Sequence, residues 1–271
     1  IPYKAMYKDG ICYGNDGRYS KTVRFYDINY QLAMQEDKAA IFENWCDFLN
    51  YFDSSIHFQL SFLNQHINFS EYQKMIDIPA CGDDFDEIRT EYTHMLQDQL
   101  AKGNNGMHKT KYITFSVEAK NYPEAKVRLE RIETDVMANF KVLGVRAEST
   151  DGYARLKLMH DTFCSDTREP FQFDYEYLKE SGLSTKDFIA PTSLNFKPGR
   201  YFRMGGNVGA VSYLQITAPE LTDKLLAQIL DIDSDLVLTL HIHSLDQTKA
   251  IKNVKSRIVA MSFCEPRSCV M

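Results

Sequence analysis

The sequence has few of the features that mark common functional classes of protein. Its 271 residues include one tryptophan, 8 prolines and 13 glycines, and no apolar run approaches the roughly 20 residues that span a bilayer. The formal net charge of -6 gives no basic footprint of the kind that attracts nucleic-acid phosphates. The composition therefore favours a globular protein and argues against strong DNA binding by this chain alone.

Cysteine usage points to a reducing compartment. None of the six cysteines forms a C-x-x-C pair, and a chain of this length builds its core without disulfides. No signal-peptide pattern opens the sequence. We therefore expect a cytoplasmic protein with free thiols. The cysteines are Cys12, Cys46, Cys81, Cys164, Cys264 and Cys269.

The motifs that carry nucleotide and acyl-transfer chemistry are also missing. No segment matches the P-loop pattern G-x-x-x-x-G-K-[ST], whose amides and lysine hold phosphates, and no G-x-S-x-G elbow is present. Residues 205–209 contain three glycines, but a dinucleotide-binding loop leaves a strand and opens a helix. Because a strand over 210–216 is predicted to follow, residues 205–207 are better explained as a hairpin turn. We expect no cofactor for this chain.

Patterns in the first half predict a β-hairpin followed by alternating helices and strands. Residues 35–52 place apolar side chains at spacings of three and four, whereas residues 56–62 alternate apolar with polar side chains. The other predicted elements are a turn at 14–17, strands over 21–28, 111–119 and 145–149, and helices over 83–103 and 123–143. This order is that of the split βαβ, ferredoxin-like layout, with helices on one face of a mostly antiparallel sheet.

Residues 201–258 repeat this order in an incomplete form. The pattern predicts the hairpin at 205–207, a short helix from Leu221, a strand over 236–243 and a helix from Gln247. Two copies indicate a duplicated domain, because stacked repeats need three or more units. The predicted fold class is therefore α+β, with two ferredoxin-like units of which the second is partial. The predicted division is a first unit over 1–150, an ordered connector over 151–199 that begins with a helix over 152–163, and a second unit over 200–271.

Two sets of side chains are candidates for contact with a partner protein. Alternation leaves one face of the strands 56–62 and 236–243 polar, and the connector is rich in aromatic residues. The candidates are His57, Gln59 and Ser61 on the first strand, Thr239, His241 and His243 on the second, and Phe171, Phe173, Tyr175 and Tyr177 in the connector.

Two groups of residues resemble metal sites without completing one. His241 and His243 lie on the same side of their strand, but a zinc site needs three or four ligands and no further cysteine or histidine is evident nearby. The acidic run 83–87 is better explained as a helix N-terminus, in which Asp84 and Glu87 form a capping box. We therefore predict no metal site.

Four longer sequence segments resemble one known family. They are EDKAAIFENWCDFLNYFDSSIHFQLSFLN (36–64), DDFDEIRTEYTHMLQDQLAKGNNG (83–106), KTKYITFSVEAKNYPEAKVRLERIETDVMANFKVLGV (109–145) and SGLSTKDFIAPTSLNFKPGRYFRMGGNVGAVSYLQITAPEL (181–221). In amino-acid sequence and in order along the chain, they resemble the N-terminal region of the conjugative-transfer ATPases of type IV secretion systems, the VirB/TrbE/CagE class. The version they resemble is carried by integrative conjugative elements of Gram-positive gut bacteria, and the resemblance extends to about Val259.

The resemblance implies that the proteins of this family have two regions with different functions. In that family the N-terminal region is an α+β module that docks on the membrane channel and on neighbouring subunits, whereas a C-terminal RecA-like motor hydrolyses ATP with magnesium. No residue of this sequence corresponds to the Walker A, Walker B or arginine-finger positions. The chain is therefore expected to be non-catalytic and to lie at the inner face of the cell membrane, held there by channel components and other ATPase subunits during DNA transfer.

Two other functions stay open from the sequence alone. A single-stranded nucleic-acid-binding module would show an affinity that falls with salt, but the net charge argues against it. The strand over 111–119 carries a basic residue and aromatic residues, yet lacks the glycines of an RNA-binding signature. An enzyme with an unrecognised site also stays open, because a fold does not determine a function.

Overall fold

A computed structural model of the chain describes residues 1–28, 34–66, 78–103, 107–165, 171–197, 199–215 and 224–262. These residues form ten strands and seven helices, so the predicted α+β class is confirmed. The strands are β1 (Tyr3–Met6), β2 (Cys12–Gly14), β3 (Arg18–Phe25), β4 (His57–His66), β5 (Met107–Glu118), β6 (Ala147–Ser149), β7 (Leu194–Asn195), β8 (Phe202–Met204), β9 (Asn207–Gly209) and β10 (Leu236–His243). The helices are α1 (Gln35–Asn50), α2 (Asp86–Gly103), α3 (Tyr122–Val142), α4 (Gly152–Phe163), α5 (Tyr175–Ser181), α6 (Lys224–Leu230) and α7 (Gln247–Ser262).

Seven of the strands form one antiparallel sheet. Its order is β1-β2-β3-β5-β4-β10, and β6 also pairs with β3, beyond the part of β3 that pairs with β2. Within it, the strands β6, β3, β5 and β4 lie side by side, while α1 connects β3 to β4 and α3 connects β5 to β6. This is the split βαβ arrangement. The ferredoxin-like layout predicted for the first unit is therefore present, with α2 inserted between β4 and β5.

The last strand, β10, belongs to the same sheet. All eight of its residues pair with β4, from Leu236 opposite Asn64 to His243 opposite His57, and its predicted bounds are confirmed. The sequence assigned this strand to a second unit. The domain boundaries stay a prediction, but the main strand of that second unit is hydrogen-bonded to the first. The hairpin of β8 and β9 forms a separate three-stranded sheet with β7.

One face of the large sheet packs against α1 and α3. Along β5, the side chains of Ile113, Phe115 and Val117 are fully buried in this layer. The apolar stripes predicted for the two helices meet them there, and burial of each large side chain contributes about 1.5–3 kcal/mol. Trp45, the one tryptophan of the chain, is partly buried and packs against this layer. The buried helix residues are Phe48 on α1 and Ala125, Leu129, Ile132, Val136 and Phe140 on α3.

The opposite face of the sheet is partly covered by α4, whose predicted bounds are confirmed. Its side chain Leu156 packs in a second apolar cluster with residues of β1, β2 and the connector. Gly152 allows the start of the helix to approach closely, because a Cβ there would lie 2.2 Å from the carbonyl oxygen of Tyr7. Helix α4 leaves the end of this face next to β10 open.

Helix α2 begins later than the sequence predicted. The carboxylate of Asp86 accepts hydrogen bonds at 2.8 Å from the two backbone amides at 81 and 82, and it binds Arg89 at 2.6 Å. Arg89 also binds Asp83. The predicted capping box of Asp84 with Glu87 is therefore wrong, because this ion cluster closes the turn before the helix.

Other differences concern short elements. The hairpin turn predicted at 205–207 is confirmed by β8 and β9, with Gly205 at a φ of 58°. The strand predicted over 210–216 is wrong, since residues 210–215 form no strand. Strands β1 and β7 and helix α5 were not predicted from the sequence. The predicted helix start at Leu221 and residues 263–271 of the predicted second unit lie outside the described residues.

None of the helices in the described residues combines enough length with enough apolar character to cross a bilayer.

Truncation of the aromatic core should destabilise the fold strongly. Phe140 is fully buried between Phe25, Trp45 and Phe48, so we expect Phe140→Ala to lower the free energy of unfolding by about 3–5 kcal/mol. On the same helix, Val142 is 70% exposed, and Val142→Ala should change it by about 0.5 kcal/mol or less. Urea unfolding of the two variants measures both values, and equal losses would contradict the assigned core face.

Candidate functional site

The polar residues predicted on two distant strands are direct cross-strand neighbours. Strand β4 and strand β10 are separated by about 170 residues of chain but pair along their full shared length. Side chains that lie opposite each other project from the same face of a sheet, so the six candidates form one continuous patch. The pairs are His57 with His243, Gln59 with His241, and Ser61 with Thr239.

The neighbouring strands continue these rows across the sheet. Ser116 of β5 lies opposite both His57 and Ser20, so one row crosses β3, β5, β4 and β10. The next row continues from Gln59 to Thr114 of β5. Hydroxyl, amide and imidazole groups therefore cover this part of the face, which lies opposite the aromatic core.

These rows form the floor of an open groove, which we call the polar groove. It encloses about 750 Å³, a volume within the roughly 300–1,000 Å³ of ligand pockets. One wall is formed by Arg155, Met159 and Phe163 of α4. The floor and remaining walls include Tyr3, Cys12, Asp16, Arg18, Ser20, His57, Gln59, Thr114, Ser116, His241 and His243.

Four of the ten predicted contact residues line the polar groove. They are His57, Gln59, His241 and His243. Ser61 and Thr239 form the adjacent pair on the same face, one row outside the groove. The structure therefore brings together the strand candidates, although their role in contacting a partner stays a prediction.

The aromatic candidates of the connector lie elsewhere. Phe171 is buried, at 7% exposure, in the apolar cluster beneath α4, and Phe173 packs against that cluster. Tyr175 is half-buried, and its hydroxyl donates a hydrogen bond to the carbonyl oxygen of Tyr7 at 3.3 Å. Tyr177, at 56% exposure, is the one of the four that presents most of its side chain to solvent. Their predicted contact role is untested, but burial makes Phe171 a residue that holds the connector in place.

Two imidazole rings stack at the end of the polar groove. The ring centroids of His57 and His243 are 4.5 Å apart, and the ring planes differ by 4°. Burial lowers the pKa of His57, and the positive charge of Arg18 and the second imidazole of His243 lower it further. Two protonated rings at this separation would repel each other, so the stacked pair favours a neutral His57.

Arg155 is the functional candidate that the sequence analysis missed. It is only 6% exposed, and its Nη1 donates to the carbonyl oxygens of Gly10 at 2.6 Å and Ser20 at 2.8 Å. Burial lowers the pKa of its guanidinium. An arginine in an amphipathic helix is ordinarily solvent-exposed, so its burial could not be inferred without knowing what α4 packs against.

The two histidines considered as zinc ligands are His241 and His243. In the described part of the chain, no group of three or more histidine, cysteine, aspartate or glutamate side chains is arranged to hold a metal ion. The side chains of the polar groove, which include histidines and arginines, can offer hydrogen-bond donors and positive charge to a ligand or to a partner surface.

Comparison with models of known protein families gives no match to this chain, and comparison with curated proteins gives none either. The family resemblance and the function that it implies therefore stay predictions.

The lowered pKa of His57 should make stability depend on pH. The unfolded state binds a proton near the ordinary histidine value of 6.5, whereas the folded state does so only at lower pH. The stability contributed by neutral His57 is therefore fully present above pH 6.5 and is lost as the pH falls from 6.5 through the lower pKa of the folded state. When the pH is lowered from about 7.5 to about 5, we expect the free energy of unfolding to fall less in the His57→Gln variant than in the parent protein.

The matched control for this measurement is His94, which is exposed on α2 outside the polar groove. His94→Gln should keep the pH dependence of the parent in urea unfolding. A His57→Gln variant with the same pH dependence as the parent would show that His57 is not held neutral by its surroundings.

Proposed function

We propose that this chain is the non-catalytic N-terminal region of a conjugative type IV secretion ATPase of the VirB/TrbE/CagE class. In this proposal it docks on components of the membrane channel and on neighbouring ATPase subunits. The resemblance of residues 36–64, 83–106, 109–145 and 181–221 to that family supports the family assignment in this proposal. The observation that carries the docking role is the pairing of β4 with β10, which joins two predicted polar patches into one surface.

The composition of this surface supports a contact with protein. Protein interfaces combine an apolar centre with a polar rim. Val237 stands on the same face of β10 as Thr239 and His241, and it is half-exposed. A partner that covers the histidine rows would therefore also meet the exposed side chain of Val237 next to Thr239.

The backbone of β10 offers a second kind of contact. Among the described residues β10 is the outermost strand on its side of the sheet. An outermost strand presents backbone donors and acceptors to which a further strand can be added. A channel protein or a neighbouring subunit could in this way use both the strand edge and the polar groove.

ATP and magnesium belong, in this proposal, to the motor region of the parent ATPase and not to this chain. The chain reaches the inner face of the membrane through its partners. Its contribution to DNA transfer is then positional, since it would fix the motor at the channel.

Removal of both β10 histidines should weaken docking. In the full-length ATPase we expect His241→Ala combined with His243→Ala to weaken binding to its channel partner by about thirtyfold or more, because the loss of one interface hot-spot side chain costs about 2 kcal/mol or more. Transfer frequency in a mating assay should fall with it. His94→Ala, on the exposed surface of α2, is the control and should leave both quantities unchanged. Unchanged binding and unchanged transfer in the double variant would remove this surface from the proposal.

A further inference from the structure

We infer that the polar groove is a binding site for a small oxyanion, a phosphate or carboxylate group, seated over Ser116 between Arg155 and the stacked pair of His57 and His243. This inference goes beyond the docking role and does not depend on it. It rests on a buried guanidinium, on the row of polar side chains beside it, and on the balance of charge in the groove.

The first observation is that Arg155 is buried without a carboxylate partner. Among the described residues its guanidinium donates three hydrogen bonds, to the carbonyl oxygens of Gly10 and Ser20 and to the hydroxyl of Ser20. Within the same residues no aspartate or glutamate forms an ion pair with it, and the titratable neighbours that affect its pKa are the thiol of Cys12 and the phenol of Tyr175, whose own pKa values are raised, so both are neutral near pH 7. A buried charge is ordinarily paired. Arg155 is one of the residues that line the groove, so an anion bound there would place a countercharge near it.

The second observation is the order of side chains along the floor. Ser20, Ser116, His57 and His243 occupy one row on four adjacent strands, and neighbouring strands lie about 4.8 Å apart. An anion over Ser116 would therefore stand one strand from the Ser20–Arg155 pair on one side and one strand from His57 on the other. The hydroxyl oxygen of Ser20 accepts a hydrogen bond from Arg155 at 3.2 Å. The hydroxyl proton of Ser20 therefore points away from the arginine.

The third observation concerns charge. Arg18 and Arg155 line the polar groove together with three histidines, and Asp16 is the acidic residue in its lining. Asp16 is engaged locally, since its Oδ1 accepts from the backbone amide of Arg18 at 3.1 Å, and Arg18 forms a long ion pair of 3.5 Å with the exposed carboxylate of Glu118. Although the whole chain is acidic, this groove is lined by an excess of cationic and protonatable groups. Focused positive potential in a concave site favours an anionic ligand.

The histidine pair gives the site a pH dependence. The titratable and charged groups that act on His57 are Asp16 before β3, Arg18 at the start of β3, Glu118 at the end of β5, and the imidazole of His243 on β10. Arg18 and His243 oppose its protonation, whereas the two carboxylates favour it. A bound dianion would add a stronger favourable charge beside the ring. Oxyanion binding should therefore raise the pKa of His57 and strengthen as the pH falls.

The experiment is a titration of the whole chain, carrying 13C-labelled histidine, with inorganic phosphate and separately with succinate. Ionic strength is held constant with chloride, and no channel protein is present, so failure here and failure of docking are separate results. We expect saturable shifts of the His57 and His243 ring signals and a higher titration midpoint for His57 in the presence of the ligand. The ring signal of His94, outside the groove, should not move.

Variants make the assignment specific. We expect His57→Gln and Arg18→Gln to weaken binding by about tenfold each, as expected for the loss of one charged hydrogen bond or ion pair, while His94→Gln leaves it unchanged. Arg155 is not replaced, because it also anchors α4. Shifts with phosphate assign a phosphate ligand, and shifts with succinate alone assign a carboxylate ligand. No saturable shift with either anion, or equal shifts at His94, would overturn the inference.

Discussion

The antiparallel pairing of β10 with β4 is the interaction on which the functional surface depends. Strand β4 already pairs with β5 on one side, and its other edge would expose a row of backbone groups without β10. Pairing satisfies those groups over eight residues and brings together parts of the chain that are far apart in sequence. Because register fixes which side chains face each other, the same pairing places His243 over His57 and His241 beside Gln59.

The two faces of the large sheet differ in structure and in the role that we assign to them. One face carries the aromatic and aliphatic core under α1 and α3, which holds the strands at fixed spacing. The other carries polar rows that α4 covers only in part, and the buried Arg155 ties that helix to β3. Rigid strands are suitable supports for a binding site because their side chains cannot drift independently. The polar groove is therefore a consequence of how α4 docks across the sheet.

Much of the fold could be predicted from local patterns, whereas the site depended on distant contacts. Period-two alternation identified the polar faces of β4 and β10 and gave the bounds of β10 correctly. It could not show that the two faces adjoin, because strand pairing over this separation leaves no local signal. The same limit explains why the burial of Phe171 was not predicted, since it depends on packing against α4. It also explains why the capping box was predicted wrongly, since Asp86 instead binds Arg89 and the two preceding backbone amides.

The measurement that tests this account most directly is a nuclear Overhauser contact between the ring protons of His57 and His243 in the folded chain. Their ring centroids lie 4.5 Å apart, so the account predicts a cross-peak that disappears in His243→Gln. A folded protein without that cross-peak would contradict the pairing of β10 with β4 in this register. The polar groove, as a single surface built from two distant strands, would then have no basis.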